Sequence, residues 1–303
     1  MNWGNKSAIS IAGGKGGIGK SSFTTNLGVV LSRQGKRVVL VDADIGAANL
    51  HTMVGVSYPK KTLADFFKRN DAELEDVLVD TPYPGLRLLS TASDILAIVS
   101  PNYKMNQRLF RAFQRLDTDV IIFDIAAGTH HRAIDFFALA PVGIVIVEPI
   151  PTALENAFLF TKNLLFRFLL RMFYHDVEMK RFIQDSLQPK EESKLLQFNE
   201  LLEQIEGRAP DKIRQLREYF SADKFKMCIV GNCVRTPGQQ QVFDRFAKIV
   251  KRYLGLSPRI VGHLPYEELM DTAITRRTPL VVEYPQSPYL GAMRTIVQSL
   301  PIR

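Results

Sequence analysis

The chain has 303 residues, 46% of them apolar and 23% charged, a balance that excludes extensive disorder and allows a substantial core. Its net charge of +8 suits polyanionic surfaces, nonspecific DNA or an anionic membrane, and equally a dispersed charge that only aids solubility. No run of eighteen uncharged apolar residues occurs, and no secretory leader pattern opens the chain, so a cytoplasmic protein is expected, with peripheral attachment at the inner membrane face left open.

Short apolar runs alternate with longer helical patterns, which predicts an α/β fold: a doubly wound, mostly parallel sheet flanked by helices. Strands are expected over 8–12, 37–41, 86–89, 120–124, 143–147, 226–231 and 259–263. Several are rich in Val and Ile without polar alternation, as in strands covered on both faces. The first is followed by Gly14-Lys15-Gly16-Gly17-Ile18-Gly19-Lys20-Ser21, which fits the P-loop pattern. Glycines let such a loop curl until its amides point at phosphate oxygens, and the following helix adds its positive end. Lys20 is then expected at the β- and γ-phosphates and the Ser21 hydroxyl on Mg²⁺. Lys15 has two readings: a solvent-facing loop lysine, or a charge that crosses a dimer to the partner's phosphates. Over 20–34 the residues Phe23, Leu27, Val30 and Leu31 share one helical face, and Gly35 supplies the stop.

Acidic residues stand at two strand ends. Asp42 and Asp44 follow the run 37–41, and Asp124 ends Val120-Ile121-Ile122-Phe123. Carboxylates at the carboxyl edge of an open α/β sheet, beside a P-loop, are placed to hold Mg²⁺ and to orient water. His130 and His131 follow Asp124 closely and receive no chemistry, since a ligand role needs several convergent groups. The segment 153–225 reads as helices without a strand, an insertion within a single domain spanning 1–303. Its first helix is apolar nearly all round apart from a stripe of Asn156, Asn163, Arg167 and Arg171, so it is expected to be buried. Beyond it, 188–220 reads as solvated helices carrying Leu195, Phe198, Leu201, Leu202 and Ile205. Cys228 and Cys233, five apart across a strand and the turn after it, are expected to be reduced thiols. The end of the chain, 287–303, carries a short pattern of Leu290, Met293, Ile296 and Val297 expected to pack on the core.

The segments 14–21, Asp42-Ala43-Asp44-Ile45-Gly46-Ala47-Ala48-Asn49-Leu50 and Asp124-Ile125-Ala126-Ala127-Gly128 together resemble the MinD/ParA ATPases with their deviant Walker A box. The resemblance extends to 228–232 and 262–266. Asp135-Phe136-Phe137 and Glu148-Pro149-Ile150-Pro151-Thr152 look most like the FlhG/FleN flagellar-number branch. It implies a catalytic set of Lys15 acting across a dimer, Lys20, Asp44 positioning water, and Asp124. It implies nucleotide contacts from Gly14 through Ser22, that is Gly14, Lys15, Gly16, Gly17, Ile18, Gly19, Lys20, Ser21 and Ser22, with Gly128 at the γ-phosphate and Asn232 and Pro265 at the adenine. It implies a metal set of Ser21 and Asp124, with Asp42 outside the first sphere. One departure is Ile150, which stands where relatives carry a glutamate that touches the partner's nucleotide. The implied cofactors are ATP/ADP and Mg²⁺. The implied partners are a second copy in an ATP-dependent homodimer and a protein that stimulates hydrolysis, with an anionic membrane or DNA as the surface. A metal-cluster role is not expected, because Cys228 and Cys233 are not closely paired. The implied task is an ATP-driven switch setting the position or number of a flagellum or division site; the alternative is a partition ATPase of the ParA type.

Overall fold

Seven of the apolar runs form parallel strands in the computed structural model, which describes residues 3–44, 48–69, 71–91, 103–186, 198–221 and 224–302. They are β1 (Ser7–Ala12), β2 (Val38–Ala43), β4 (Leu86–Leu89), β5 (Val120–Ile125), β6 (Val142–Val147), β7 (Lys226–Val234) and β8 (Arg259–Pro265). The two-residue β3 (Val79–Asp80) pairs antiparallel with β4 at one edge, and the order is β3-β4-β2-β5-β1-β6-β7-β8. A strand of two residues leaves no periodicity to read, and none is predicted there. Residues 45–47 of the acidic motif and Leu195 lie outside the described residues.

The unbroken apolar strands are buried along their whole length in β1, β2, β5 and β6. Alternate residues serve two separate cores, one per face: Ile9 and Ile11 enter one, Ala8 and Ala12 the other. The first core holds α1 (Lys20–Arg33) and, near the end of the chain, a helix at Pro288–Ser299 that buries Leu290, Met293, Ile296 and Val297 as expected. Helix α1 is buried nearly all round, rather than along the one face its pattern predicts. It is covered on its far side by Leu280 and Val281, and the Val281 amide donates to Asn26 Oδ1 at 2.9 Å. Its end is a Schellman turn. Gly35 adopts φ 82°, and the Lys36 and Gly35 amides donate to the Leu31 and Ser32 carbonyls.

In chain order the following helices are α2 (Leu50–Met53), α3 (Leu63–Lys68), α4 (Tyr103–Arg115), α5 (His131–Phe137) and α6 (Pro151–Met172). Between β6 and β7, α6 is succeeded by α7 (Val177–Asp185), α8 (Phe198–Glu206) and α9 (Pro210–Ser221), and among the described residues no strand interrupts them. These helices feed the second core. Phe198, Leu201, Leu202 and Ile205 of α8 are all buried there, and Phe160 of α6 meets Phe137 edge-on at 5.0 Å. Next to Phe160, the large apolar side chain of Leu159 is left exposed on α6. After β7 comes α10 (Gln240–Leu254), then β8.

The packing sets a direct contrast between neighbours on α6. Phe160→Ala should cost about 3–5 kcal/mol in urea unfolding with an unchanged m value. Leu159→Ala, at a site 45% exposed, should stay within about 0.5 kcal/mol.

Candidate functional site

The P-loop leaves β1 at Gly13 and enters α1 at Lys20, at the place where the chain turns to β2 on one side and crosses from β5 to β6 on the other. Such a reversal opens a crevice at the carboxyl ends of the strands. Gly17 and Gly19 take φ 77° and 83°, where an L side chain is strained. Gly14 is required for a different reason. A Cβ there would lie 2.2–2.6 Å from the α6 backbone at Asn156 and Ala157, so the loop and the helix touch main chain to main chain. On its other side the loop is held by Asn232, whose Nδ2 donates to the Ile18 carbonyl at 2.9 Å.

Helix α1 brings two hydroxyls to one carboxylate. Ser21 Oγ donates to Asp124 Oδ2 at 2.6 Å, and Thr24 Oγ1 lies 3.1 Å from Asp124 Oδ1. Thr24 also sits 2.9 Å from the Lys20 carbonyl, so its one proton is shared between two acceptors. Ser22 is buried on the same helix. Lys20 is 8% exposed, and burial lowers its pKa against the opposing pull of Asp124 and Asp44. Its Nζ reaches the Lys15 carbonyl only at 3.5 Å, leaving the amine available to an anion. The Lys15 side chain itself is exposed.

Asp42 and Asp124 are directly opposed on neighbouring strands, the register pairing them across β2 and β5. Asp42 lies within β2, one residue before its end, and only Asp44 follows the strand. The ladder continues because Asp42 and Ala43 still pair with Asp124 and Ile125. Asp42 is 1% exposed and accepts the Asp44 and Leu50 amides at 3.2 and 3.0 Å. Burial, reinforced by the charge of Asp124, pushes its pKa up to about 7. Burial likewise pushes Asp124 up to about 6, although Ser21, Lys20 and Thr24 oppose the shift. Two buried acids this close, one already holding a serine hydroxyl, form an all-oxygen donor set that fits a hard divalent cation completed by water and phosphate. Among the described residues no group of three or more His, Cys, Asp or Glu converges as a metal site of its own.

Gly128 stands three residues beyond β5 with φ 95°, its amide at the start of the loop leading to α5. Asn232 and Pro265 lie inside β7 and β8, and Pro265 pairs with Val234. Beside them Arg235 stacks on Tyr266 at 3.4 Å. Cys233 belongs to β7 rather than to a following turn, but at φ 56° and beside a register shift it no longer obeys simple strand alternation. Both cysteines are free, and burial raises their thiols to about 12 for Cys228 and about 11 for Cys233. His130 and His131 are exposed, His130 at the cap of α5. Sequence reasoning missed Thr24, whose spacing of three from Ser21 on one helix was the available signal. It also missed the α6 backbone under Gly14 and the Leu50 amide on Asp42, which no residue type announces.

The model of the CobQ/CobB/MinD/ParA nucleotide binding domain matches residues 9–280. The chain belongs to this family. Antiactivator FleN of Pseudomonas aeruginosa is 25% identical over 295 residues, which are 96% of this MinD/ParA-family chain and 85% of FleN. Flagellum site-determining protein YlxH of Helicobacter pylori is 31% identical over 159 residues, and there the match spans about half of each protein (52% and 53%). Septum site-determining protein MinD of Pyrococcus horikoshii, solved with Mg-ADP, superposes with a TM-score of 0.64 at 18% identity over 98% of this chain and 96% of its own. That last likeness is one of fold.

The buried acids give the nucleotide-free protein a pH dependence of definite sign. A carboxyl whose pKa rises from 3.8 to about 7 on folding contributes fully below 3.8, and that contribution is lost as pH rises through about 7. In EDTA, the melting temperature of Asp42→Asn relative to the parent should therefore climb steadily from pH 4 to pH 8. A difference that does not vary with pH would contradict the burial of an ionisable Asp42.

Proposed function

We propose that this chain is an ATP-dependent dimerising switch that hydrolyses ATP to ADP and phosphate and so regulates the position or number of a cellular structure, with the flagellum first. The observation that carries the reading is the contact of Ser21 and Thr24 with Asp124 beneath a P-loop whose Lys20 is buried. It joins phosphate binding and metal binding in one crevice. The flagellar part rests on the similarity to FleN, an antiactivator, and YlxH, a flagellum site-determining protein.

In this reading the amides from Gly14 to Ser22 cradle the phosphates, and Lys20 meets the β- and γ-oxygens. Mg²⁺, held by Ser21 with Asp124 and Asp42 behind it, would neutralise charge on those oxygens. Asp44, partly exposed at the end of β2, accepts a hydrogen bond from the attacking water and fixes its direction. Gly128 donates its amide to the γ-phosphate, so Asp124–Gly128 is the segment that senses ATP against ADP. Asn232 and Pro265 hold the adenine. The exposed Lys15 crosses to the nucleotide of a second copy, where its charge stabilises the transition state. Differential contact with the γ-phosphate closes the dimer, and its loss opens it. The chain 153–225 is an insertion of this one domain, and a separate protein completes water positioning and accelerates turnover. The surface on which the dimer works is an anionic membrane or DNA, for which the +8 charge is suited.

The test is mass by light scattering with Mg-ATP and Mg-ADP. Asp44→Ala should bind ATP, hydrolyse it at least about a hundredfold more slowly, and accumulate as a dimer with ATP alone. Lys20→Ala should stay monomeric with either nucleotide. An Asp44→Ala protein that binds ATP and remains a monomer would overturn the reading.

A further inference from the structure

Two features of the sequence take no part in phosphate binding, the Asp135-Phe136-Phe137 triplet and the polar stripe of α6. The structure brings them together. Arg167 grips Asp135 with a fork, Nε to Oδ1 at 2.8 Å and one terminal nitrogen to Oδ2 at 2.7 Å. Arg171, one turn on, adds a contact to Oδ1 at 2.8 Å. Asp135 and Arg167 are each only about 30% exposed (29% and 31%). Asp135 is on α5, the seven-residue helix that begins three residues after Gly128.

Helix α5 is also held by its apolar face. Ala133, Ile134 and Phe137 enter the core and turn one side of the helix inward. A long bond from Ser10 Oγ to the Phe136 carbonyl at 3.3 Å adds a polar tie on the helix. A bidentate arginine–carboxylate pair is directional, so it ties the partly exposed side of α5 to α6 in one geometry. The far end of the same α6 lies against the P-loop, where Asn156 and Ala157 crowd Gly14. From Asn156 to Arg167 a helix advances about 16 Å, and one rigid rod therefore spans the phosphate loop and the helix behind the γ-phosphate sensor.

We infer that Asp135, held by Arg167 and Arg171, is a positioning residue for hydrolysis: it fixes α5, and through it Gly128, relative to the P-loop. This rests on the proposed role of Gly128 at the γ-phosphate. The clamp does not touch nucleotide, so its loss separates turnover from binding.

Asp135→Asn keeps the shape and removes the charge. Its kcat should fall about tenfold while the KM for ATP and the affinity for Mg-ADP stay within about twofold. Asp135→Glu, which restores the charge, should recover most of the rate, and Arg167→Gln should resemble Asp135→Asn. Hydrogen exchange over 126–137 provides a readout independent of turnover. In the parent, Mg-ATPγS should slow exchange there relative to Mg-ADP, and in folded Asp135→Asn or Arg167→Gln the two nucleotides should give the same exchange. A folded Asp135→Asn with parental kcat, or with the parental nucleotide difference in exchange, overturns the clamp. A parent that binds Mg-ATPγS with slowed exchange yet never hydrolyses ATP overturns the ATPase reading and leaves the clamp standing on its exchange signature.

Discussion

The Asp124 carboxylate, sunk at the centre of the sheet, is reached by hydroxyls from Ser21 and Thr24 on α1, and this contact ties the helix after the P-loop to the strand before Gly128. Burying such a group is costly unless its oxygens are engaged. Here each oxygen has a hydroxyl beside it, and Lys20 lies near enough to oppose the rise in its pKa. The constraint runs in both directions. The loop cannot shift along β1 without breaking the hydroxyl contacts, and β5 cannot shift without losing its register with β1 and β2.

Around that contact the crevice gathers buried acids beside a buried lysine. Asp42 sits opposite Asp124 with its pKa pushed up to about 7, and the two repel. Functional sites often hold groups in environments that shift their pKa until a ligand arrives. A cation between the acids would relieve the repulsion, and phosphates would satisfy Lys20. In the proposed reading, nucleotide and metal would offset this cost at the carboxyl edge of the sheet. Helix α6 extends that edge outward, since it meets the P-loop at Asn156 and α5 at Arg167.

Most of the sheet was legible because its strands are covered on both faces, and a continuous run such as Val120-Ile121-Ile122-Phe123 fits little besides a buried strand. The strand ends were harder. β2 and β7 run on through polar residues, Asp42 in one and Asn232 in the other, where backbone pairing rather than side-chain pattern decides. The P-loop and its acids were readable because phosphate chemistry demands particular residues at fixed spacing. Thr24, and the contact made by Asp135, escaped for the opposite reason. Each is an ordinary helix residue until tertiary structure supplies a partner, from β5 for one and from α6 for the other. The stripe of Arg167 and Arg171 was visible as polar, but its target was not.

The central claim is that a complete site needs two copies, Lys20 and Asp44 from one and Lys15 from the other. Mixing Lys15→Ala with Asp44→Ala tests it directly. Each variant alone should be nearly inactive. In a mixed dimer, the Lys15→Ala subunit keeps its own Asp44 and receives an intact Lys15 from its partner. With free exchange of subunits, half of the dimers are mixed and each has one complete site, so the mixture should recover about a quarter of parental turnover. A mixture no more active than its components would show that Lys15 acts within its own subunit or not at all, and would contradict the account.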